Sequence, residues 1–369
     1  MKRPYLVHFL AIMTEESLSI RASLALTDNP LLKRHVDQQA FNPVLPIQAY
    51  KLLAADRFTM LIIALDKEHN EIYRKTFDSD SFGNINFKIP ITDERKNIEI
   101  LQVYEINFIP GLELILGNYM PIKIFSPKKL IVCDFDKTLV HTKYSSTREL
   151  YDSLTRPINS FPTIVSSLEI VRNHLDKNYH PFILSASPHF YEAAMRDWLY
   201  QNKIYSAGIF LKDYRHILSL FEGDLVPKDI KTQGLYKLGH LLDILIMTGI
   251  PQDLVLMGDN FESDPIIYLA LAKILKEDLE PWYIWKRLLA QDVFKPSKKQ
   301  RTQVLNKIYQ LTNIVNRHKE LKSPLPNIKI YIRKKDSENS VTVPSEFQTQ
   351  LEILELYEGI YESKSSVLA

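Results

Sequence analysis

The stretch LIVCDFDKTL, from Leu130 to Leu139, decides the fold of this chain. An apolar run leads directly into Asp134, and Asp136 and Thr138 follow at alternate positions. Such a run, closed by a carboxylate and a polar turn, is typical of a buried parallel strand in an open α/β sheet. Sites in these sheets lie at the carboxyl ends of the strands. The stretch therefore predicts an α/β domain with a functional site beginning at Asp134.

Two carboxylates close together in this stretch indicate a type of chemistry. Asp134 and Asp136 lie two residues apart, so one can act as a nucleophile while the other faces the leaving oxygen. Carboxylates at this spacing repel each other unless a divalent cation joins them. The pair therefore suggests Mg²⁺ and phosphoryl transfer through an aspartyl phosphate.

Composition limits the classes of protein to consider. A length of 369 residues allows two or three domains, and 46 lysines and arginines against 44 acids leave the chain nearly neutral. Partners must therefore be inferred from local charge. A single cysteine, Cys133, excludes an intramolecular disulfide and predicts a reducing, cytoplasmic location. No apolar run approaches the roughly 18 to 20 residues of a membrane span, so membrane contact is expected to be peripheral.

Residues 1–125 are predicted to form a smaller, β-sandwich-like accessory domain. Residues 18–26 alternate apolar and polar side chains, as in a half-buried strand. Residues 72–77 and 85–89 predict two more strands, and Gly83 predicts a hairpin between them. Several short strands without helical periods favour a sandwich. Because no candidate catalytic residue is found in residues 1–125, this domain is expected to position the catalytic domain or to bind a partner.

Residues 126–369 are predicted to form the catalytic domain, a doubly wound, mostly parallel α/β sheet. The strand of residues 181–184 leads into Ser185, and a βαβ connection would bring it to the same sheet edge as Asp134. A helix cap is the alternative role for Ser185. Its hydroxyl and the backbone N–H groups of the following turn are suited to binding a phosphoryl oxygen.

A lysine and two more aspartates follow at later elements. Lys237 lies in the first turn of a predicted helix, where its charge opposes the helix dipole, so a phosphate-binding role is favoured. Lys231 is the alternative. Asp259 and Asp264 follow a second apolar strand, and ordinary turn or capping roles are open to each. Together with the first pair they are better explained as completing a Mg²⁺ site.

These motifs, taken in order, resemble those of a known superfamily. Asp134-x-Asp136-x-Thr138, Ser185, Lys237 and Gly258-Asp259 to Asp264 match the four motifs of haloacid dehalogenase-like proteins. The stretches SASP (185–188), YKL (236–238) and GDNFESDPIIY (258–268) are similar to the catalytic domain of the actin-patch phosphatidate phosphatases. The resemblance covers about residues 127–270. It departs at Lys137, where the family commonly has aspartate.

The resemblance implies a role for each catalytic residue. Asp134 would attack phosphorus, and Asp136 would protonate the departing alkoxide and then take a proton from the attacking water. Ser185 and Lys237 would bind the phosphoryl group. Thr138 would brace the loop.

The resemblance also implies the metal ligands. Mg²⁺ would be held by Asp134, the backbone carbonyl of Asp136 and Asp259, with Asp264 orienting these ligands. A shared cation requires the side chains of Asp134 and Asp259 to lie within about 10 Å of each other.

A basic helical insertion is predicted at about residues 276–326. From Lys286 to Lys335, many lysines and arginines are opposed only by Asp292 and Glu320. An apolar helical stripe runs along it, formed by Val304, Ile308, Leu311 and Val315. A basic amphipathic helix suits an anionic membrane surface. The alternative is a helix that packs on the domain with a solvated basic face.

Three functions are consistent with these features. The first is a Mg²⁺-dependent phosphatase for phosphatidate or a related lipid phosphate. The second is a phosphatase for a soluble metabolite or nucleotide, and the third is a non-catalytic module that binds anionic lipid. The full set of aspartates argues against the third. Nucleic acid is not expected as a partner, because no aromatic and basic recognition motif is present.

Overall fold

The computed structural model describes most of the chain, in two compact units. The described residues are 3–27, 56–109, 112–142, 155–205, 208–212, 234–261, 263–291, 294, 298–334, 341 and 343–362. The first unit contains the described residues up to Ser126, together with Pro188–Asp197. The second unit contains the other described residues.

The first unit is built from two four-stranded sheets. Its strands are β1 (Arg3–Met13), β2 (Ser17–Thr27), β3 (Thr59–Leu65), β4 (Glu71–Asp78), β5 (Asn84–Pro90), β6 (Ile100–Ile109), β7 (Leu112–Tyr119) and β8 (Ile122–Lys123). One sheet has the order β5-β2-β1-β8 and the other β4-β3-β6-β7. All pairs are antiparallel except β1 with β8.

Alternation of side chains explains why the two sheets share one core. Leu18, Ile20 and Leu24 point to the same face of β2 and are fully buried. They belong to one apolar cluster with Met60 and Ile62 of the other sheet. The hairpin predicted at Gly83 is wrong, because β4 pairs with β3 whereas β5 pairs with β2. Local alternation identifies strands, but it does not identify their partners.

The second unit is a mixed α/β structure around a six-stranded sheet. Its strands are β9 (Lys129–Asp134), β10 (His180–Pro188), β11 (Gly208–Lys212), β12 (Asp253–Asp259), β13 (Asn327–Arg333) and β14 (Leu354–Tyr357). The α-helices of the described residues are α1 (Val165–Leu175), α2 (Glu192–Gln201), α3 (Gly234–Thr248), α4 (Asp264–Lys276), α5 (Pro281–Leu289) and α6 (Lys298–Glu320). The predicted α/β class with a parallel sheet is confirmed by the pairings of β9, β10, β12, β13 and β14.

The order of the strands explains where a site can form. The sheet runs β11-β10-β9-β12-β13-β14, so the chain moves outward in one direction from β9 and later returns to its other side at β12. A crevice opens at the carboxyl ends of strands where the order reverses in this way. Asp134 ends β9 and Asp259 ends β12, so both lie at this point.

The predicted apolar stripe lies on helix α6 and packs inside the domain. All four residues of the stripe are buried: Val304, Ile308, Leu311 and Val315. The helix packs against α3, and Lys307 Nζ lies 2.8 Å from Asp243 Oδ2 on that helix. For α6 this packing favours the alternative of a helix that packs on the domain with a solvated basic face, and contact of the helix with an anionic membrane surface stays a prediction. Its exposed face includes Arg301 and Arg317.

Within the described residues, no helix has both the length and the apolar content that crossing a bilayer requires.

Candidate active site

Asp134 is the centre of a buried polar cluster at the end of β9. Its side chain is about 2% exposed, and Thr138 Oγ1 donates to its Oδ2 over 3.3 Å. Lys237 Nζ lies 3.0 Å from the other oxygen, Oδ1. The chain brings Thr138 back to Asp134 through a tight turn, in which the N–H groups of Leu139 and Val140 donate to the carbonyl oxygen of Phe135. Both carboxylate oxygens of Asp134 are therefore oriented by fixed donors.

Asp264, the first residue of α4, connects the lysine to the end of β12. Its Oδ1 accepts from Lys237 Nζ at 2.6 Å, and its Oδ2 accepts the N–H of Asp259 at 3.3 Å. Gly258 makes this approach possible, because a Cβ there would lie 2.4 Å from Asp264 Oδ2 and 2.8 Å from the ring of Tyr268. A side chain at position 258 would therefore push Asp264 away from the cluster.

Three buried carboxylates meet in this cluster. Asp134, Asp259 and Asp264 each offer an oxygen within 4.8 Å of the others, well inside the roughly 10 Å limit for a shared cation. Oxygen donors of this kind are the ligands that Mg²⁺ prefers. Since three carboxylates so close repel one another, the residues present fit a divalent cation.

Asp136 lies beside this cluster with its carboxylate directed elsewhere. Its Oδ2 accepts from Ser185 Oγ at 2.7 Å and from Ser187 Oγ at 3.0 Å. Its Oδ1 accepts from Thr142 Oγ1 at 3.0 Å. The metal set of three carboxylates does not include the side chain of Asp136. The assignment of its backbone carbonyl as a ligand stays a prediction.

Ser185 is joined to α3 as well as to Asp136. The hydroxyl of Tyr236, the residue before Lys237, donates to the carbonyl oxygen of Ser185 at 3.2 Å. Ser185 Oγ also accepts the N–H of Ser187 at 3.0 Å. Sequence reasoning quoted Ser187 and Tyr236 in the matching stretches but gave them no role. Hydroxyl residues one or two positions from a motif residue are the only local signal for such partners.

Of the two lysines proposed to bind phosphate, the structure describes one. Lys237 is about 1% exposed and contacts both Asp134 and Asp264. Lys231 lies outside the described residues. The position of Lys237 in the carboxylate cluster suits a group that neutralises phosphoryl charge.

The cluster changes the ionisation of two neighbouring residues. Burial raises the pKa of the Cys133 thiol well above its usual range, and the nearby charges of Asp134 and Asp264 raise it further. Burial likewise raises the pKa of the Tyr268 phenol, with Asp264 and Asp134 adding to the effect. Both groups therefore stay protonated and neutral, and Cys133 is not a thiolate nucleophile.

One charged residue at this sheet edge was not predicted as part of the site. Arg333 ends β13 and pairs in register with Asp259. Its side chain is fully buried, and its Nε donates to the carbonyl oxygen of Lys137 at 2.6 Å. In the sequence, Arg333 stands among many basic residues, and nothing distinguishes it from them.

Two solved structures that resemble this chain do so only weakly. A β-glucuronidase from Parabacteroides merdae is 8% identical with a TM-score of 0.26, over 90% of this chain and 35% of that one. A β-glucuronidase from Bifidobacterium dentium is 7% identical with a TM-score of 0.26, over 90% and 45%. This chain spans less than half of either enzyme. Similarity at this level says nothing about the function of this chain.

The comparison by sequence is informative over the segment that carries the cluster. No curated protein matches the chain. Residues 129–286 match the family model of the phosphatidate phosphatase APP1 catalytic domain. This segment contains Asp134, Ser185, Lys237, Asp259 and Asp264, and the match confirms the resemblance to phosphatidate phosphatases. Over residues 129–286 the chain is thus similar to the catalytic domain of phosphatidate phosphatase APP1.

Proposed function

We propose that this chain is a Mg²⁺-dependent phosphomonoester hydrolase that works through an aspartyl phosphate on phosphatidate or a related lipid phosphate. The observation that carries the proposal is the buried cluster of Asp134, Asp259, Asp264 and Lys237. It lies within a segment that matches a phosphatidate phosphatase catalytic domain. A reducing, cytoplasmic location is part of the same proposal.

Asp134 is the proposed nucleophile. Thr138 and Lys237 hold one carboxylate oxygen each, which fixes the orientation of the carboxylate before substrate arrives. A carboxylate oxygen of Asp134 attacks phosphorus and the ester oxygen departs, leaving phosphate bound to the aspartate. The ammonium of Lys237 is close enough to Asp134 to stabilise the negative charge of the phosphoryl group during both steps.

Asp136 is the proposed general acid and base. In its protonated form it gives its proton to the departing alkoxide, and as a carboxylate it then takes a proton from the water that hydrolyses the aspartyl phosphate. Ser185, Ser187 and Thr142 hold its carboxylate in this structure. The Ser185 hydroxyl would exchange this bond for one to a phosphoryl oxygen when substrate binds.

The proposed cation would be held by Asp134 and Asp259, with Asp264 orienting Asp259 through its backbone N–H. When bound, Mg²⁺ would neutralise phosphoryl charge and reduce repulsion among the carboxylates. Asp264 also fixes Lys237, so one side chain would couple the position of the phosphate-binding ammonium to that of the metal ligands.

A lipid substrate is supported by the family of the matched segment. Peripheral contact with an anionic membrane is proposed through charge, since the apolar stripe of α6 is buried in the domain. Exposed Arg301 and Arg317 on α6 supply positive charge, and each basic residue near an anionic surface contributes about 1 kcal/mol.

The test is a panel of substrates with Asp134→Asn as the blank. Phosphate release is measured from phosphatidate vesicles, a lysolipid phosphate, a nucleotide and p-nitrophenyl phosphate, with Mg²⁺ and with a chelator. We expect hydrolysis that requires Mg²⁺, that is absent in the variant, and that is fastest on phosphatidate.

Two other results would redirect the assignment. If phosphatidate is hydrolysed no faster than the soluble esters, the lipid assignment fails and the soluble phosphatase is favoured. If the wild type hydrolyses none of them but sediments with anionic vesicles, the non-catalytic module is favoured.

A further inference from the structure

A buried arginine stands where two site loops leave the sheet. Arg333 is fully buried at the carboxyl end of β13, beside Asp259 on β12. Arginine is almost never fully buried without a partner, because a desolvated charge is unfavourable. Its contacts therefore indicate what holds it there.

The first contact fixes the loop that carries Asp136. Arg333 Nε donates to the carbonyl oxygen of Lys137 at 2.6 Å. Lys137 follows Asp136 directly and has a left-handed backbone with φ of 61°, a conformation that ordinary residues adopt at a free-energy cost. A charge-assisted hydrogen bond to this carbonyl oxygen stabilises the loop in that conformation.

The second contact fixes the loop that carries Asp259. The N–H of Asn260 donates to the carbonyl oxygen of Arg333 at 3.0 Å. The guanidinium also stacks on the ring of Phe261, with Cζ 4.6 Å from the ring centroid. One residue thus holds the loop after β9 by its side chain and the loop after β12 by its backbone and side chain.

The C-terminal part of the unit encloses this guanidinium. Nη1 donates to the hydroxyl oxygen of Tyr361 at 3.1 Å. Gly359 leaves the space that Arg333 fills, because a Cβ there would lie 2.9 Å from both Cδ and Nη1. Among the described residues Nη2 has no hydrogen-bond partner, so burial of this charge is not fully compensated.

We propose that Arg333 is a positioning residue that sets the distance between Asp136 on one loop and Asp259 on the other. The effect of Arg333 on turnover rests on the proposed phosphatase function. Its effect on the two loops can be tested whether or not the protein is a phosphatase. Arg333, Gly359 and Tyr361 all lie beyond residues 129–286, so the site needs parts of the chain outside the matched domain. Arg333 touches no reacting group, and it acts through the two loops.

The first test is amide hydrogen exchange in the metal-free protein, comparing wild type with Arg333→Met. The N–H groups of Lys137, Leu139 and Val140 form the hydrogen bonds of the loop. We expect them to exchange at least about tenfold faster in the variant, while amides in the middle of β9 keep their rates. Unchanged loop exchange would overturn the proposal whether or not the wild type hydrolyses any ester.

The second test measures turnover and the Mg²⁺ concentration that gives half-maximal activity, with p-nitrophenyl phosphate as substrate. Groups that orient metal ligands contribute about 10- to 100-fold in metal affinity or activity. We expect Arg333→Met to lower kcat and to raise the Mg²⁺ requirement by amounts in this range, with KM for the ester little changed. A change in KM alone would contradict a positioning role.

Two further variants and a control cover the case in which Arg333→Met fails to fold. Gly359→Ala displaces the guanidinium without removing its charge, and Tyr361→Phe removes its partner at Nη1, a hydroxyl that also lies 3.5 Å from His141 Nδ1. We expect both variants to show faster amide exchange in the loop, lower kcat and a higher Mg²⁺ requirement, each by a smaller factor than in Arg333→Met. Lys329→Met removes a half-exposed charge from the same strand, where Lys329 pairs with Glu355, and should leave loop exchange and turnover unchanged. Equal effects of Lys329→Met and Gly359→Ala would overturn the proposal.

Discussion

Each unit has a polar cluster built around buried carboxylate, and the two clusters differ in their balance of acidic and basic groups. In the second unit, Asp134, Asp259 and Asp264 meet around a single described ammonium, that of Lys237. In the first unit one carboxylate, Glu192, meets two basic side chains. His8 Nδ1 lies 2.7 Å from Glu192 Oε2, and Arg196 Nη2 lies 2.6 Å from Oε1.

This difference separates a cluster with a structural role from the cluster proposed as the active site. Burial opposes ionisation of Glu192, but the charges and hydrogen bonds of His8 and Arg196 outweigh it and lower the pKa to about 2. That acid is satisfied by the protein alone. The acids of the other cluster outnumber its lysine, so their repulsion is best relieved by an added cation. A buried cluster with more carboxylates than basic groups therefore favours a metal site. A buried carboxylate whose charge is neutralised by basic side chains favours a structural role.

Removing the central acid should produce the largest effect. Asp134→Asn takes away the proposed nucleophile, so we expect phosphate release to fall at least about 10³-fold. Because the substitution also removes one of three repelling charges, the metal-free variant should be no less stable in urea than the wild type. The same pair of measurements on Glu192→Gln should show the reverse, with stability lost and turnover kept. If both variants lose the same property, the distinction between the clusters is wrong.

The pH dependence of the Glu192 cluster gives the second prediction. The folded pKa of about 2 lies below the ordinary 4.5, so ionised Glu192 stabilises the fold above about pH 5. This stabilisation, about 3 kcal/mol, is lost as pH falls from 4.5 toward 2. We expect Glu192→Gln to be destabilised by about this amount at pH 7 and to match the wild type near pH 2.

Urea denaturation at several pH values measures this difference. Glu71 is a matched control in the same unit, because it pairs with Arg74 at the exposed surface. Glu71→Gln should leave the free energy of unfolding unchanged at each pH. A constant gap between Glu192→Gln and wild type across this range would contradict the prediction.

Mg²⁺ should stabilise the protein by binding at the Asp134 cluster and not at the Glu192 cluster. A ligand at 100 times its Kd stabilises the folded state by about 2.7 kcal/mol, so Mg²⁺ should raise the Tm of the wild type by several degrees. Asp259→Asn should lose this shift, while Glu192→Gln should keep it from a lower starting temperature. Thermal unfolding with Mg²⁺ and with a chelator measures both. A shift retained in Asp259→Asn would place the ion elsewhere.

The smallest expected effect concerns a single hydroxyl. Thr138 Oγ1 donates to Asp134 Oδ2, and a hydrogen bond to a charged acceptor of this length contributes about 1 kcal/mol. Thr138→Val should therefore lower kcat about fivefold. Thr248, whose buried hydroxyl donates to the carbonyl oxygen of Ile244 in α3, is a matched control. Thr248→Val should leave kcat unchanged, and an equal loss in both variants would assign the effect to general packing.

Local pattern was sufficient to predict β9, β10 and β12 and the residues at their ends, but it did not predict β11 or β14. Asp134 and Asp259 could be assigned to one edge because each follows an apolar run, and parallel strands end at a common edge. The strands of the first unit were predicted by alternation, but their pairing around Gly83 was not. Pairing depends on contacts between distant strands, and periodicity within a strand does not record them.

The contacts that orient the site could not be predicted for the same reason. Arg333 reaches Lys137 across 196 positions of sequence. His8 and Glu192 are 184 positions apart, and each alone resembles an ordinary polar residue. The α6 stripe shows a related limit, since an apolar helical face has the same sequence pattern whether it contacts lipid or another helix.

The place of β12 in the sheet limits how the matched segment can be handled by itself. β12 lies between β9 and β13, and a fragment ending at residue 286 would contain only the first of these neighbours. One side of β12 would then expose its backbone N–H and C=O groups, and such unpaired edges attract other chains. A fragment cut at the limits of the family match is therefore expected to aggregate.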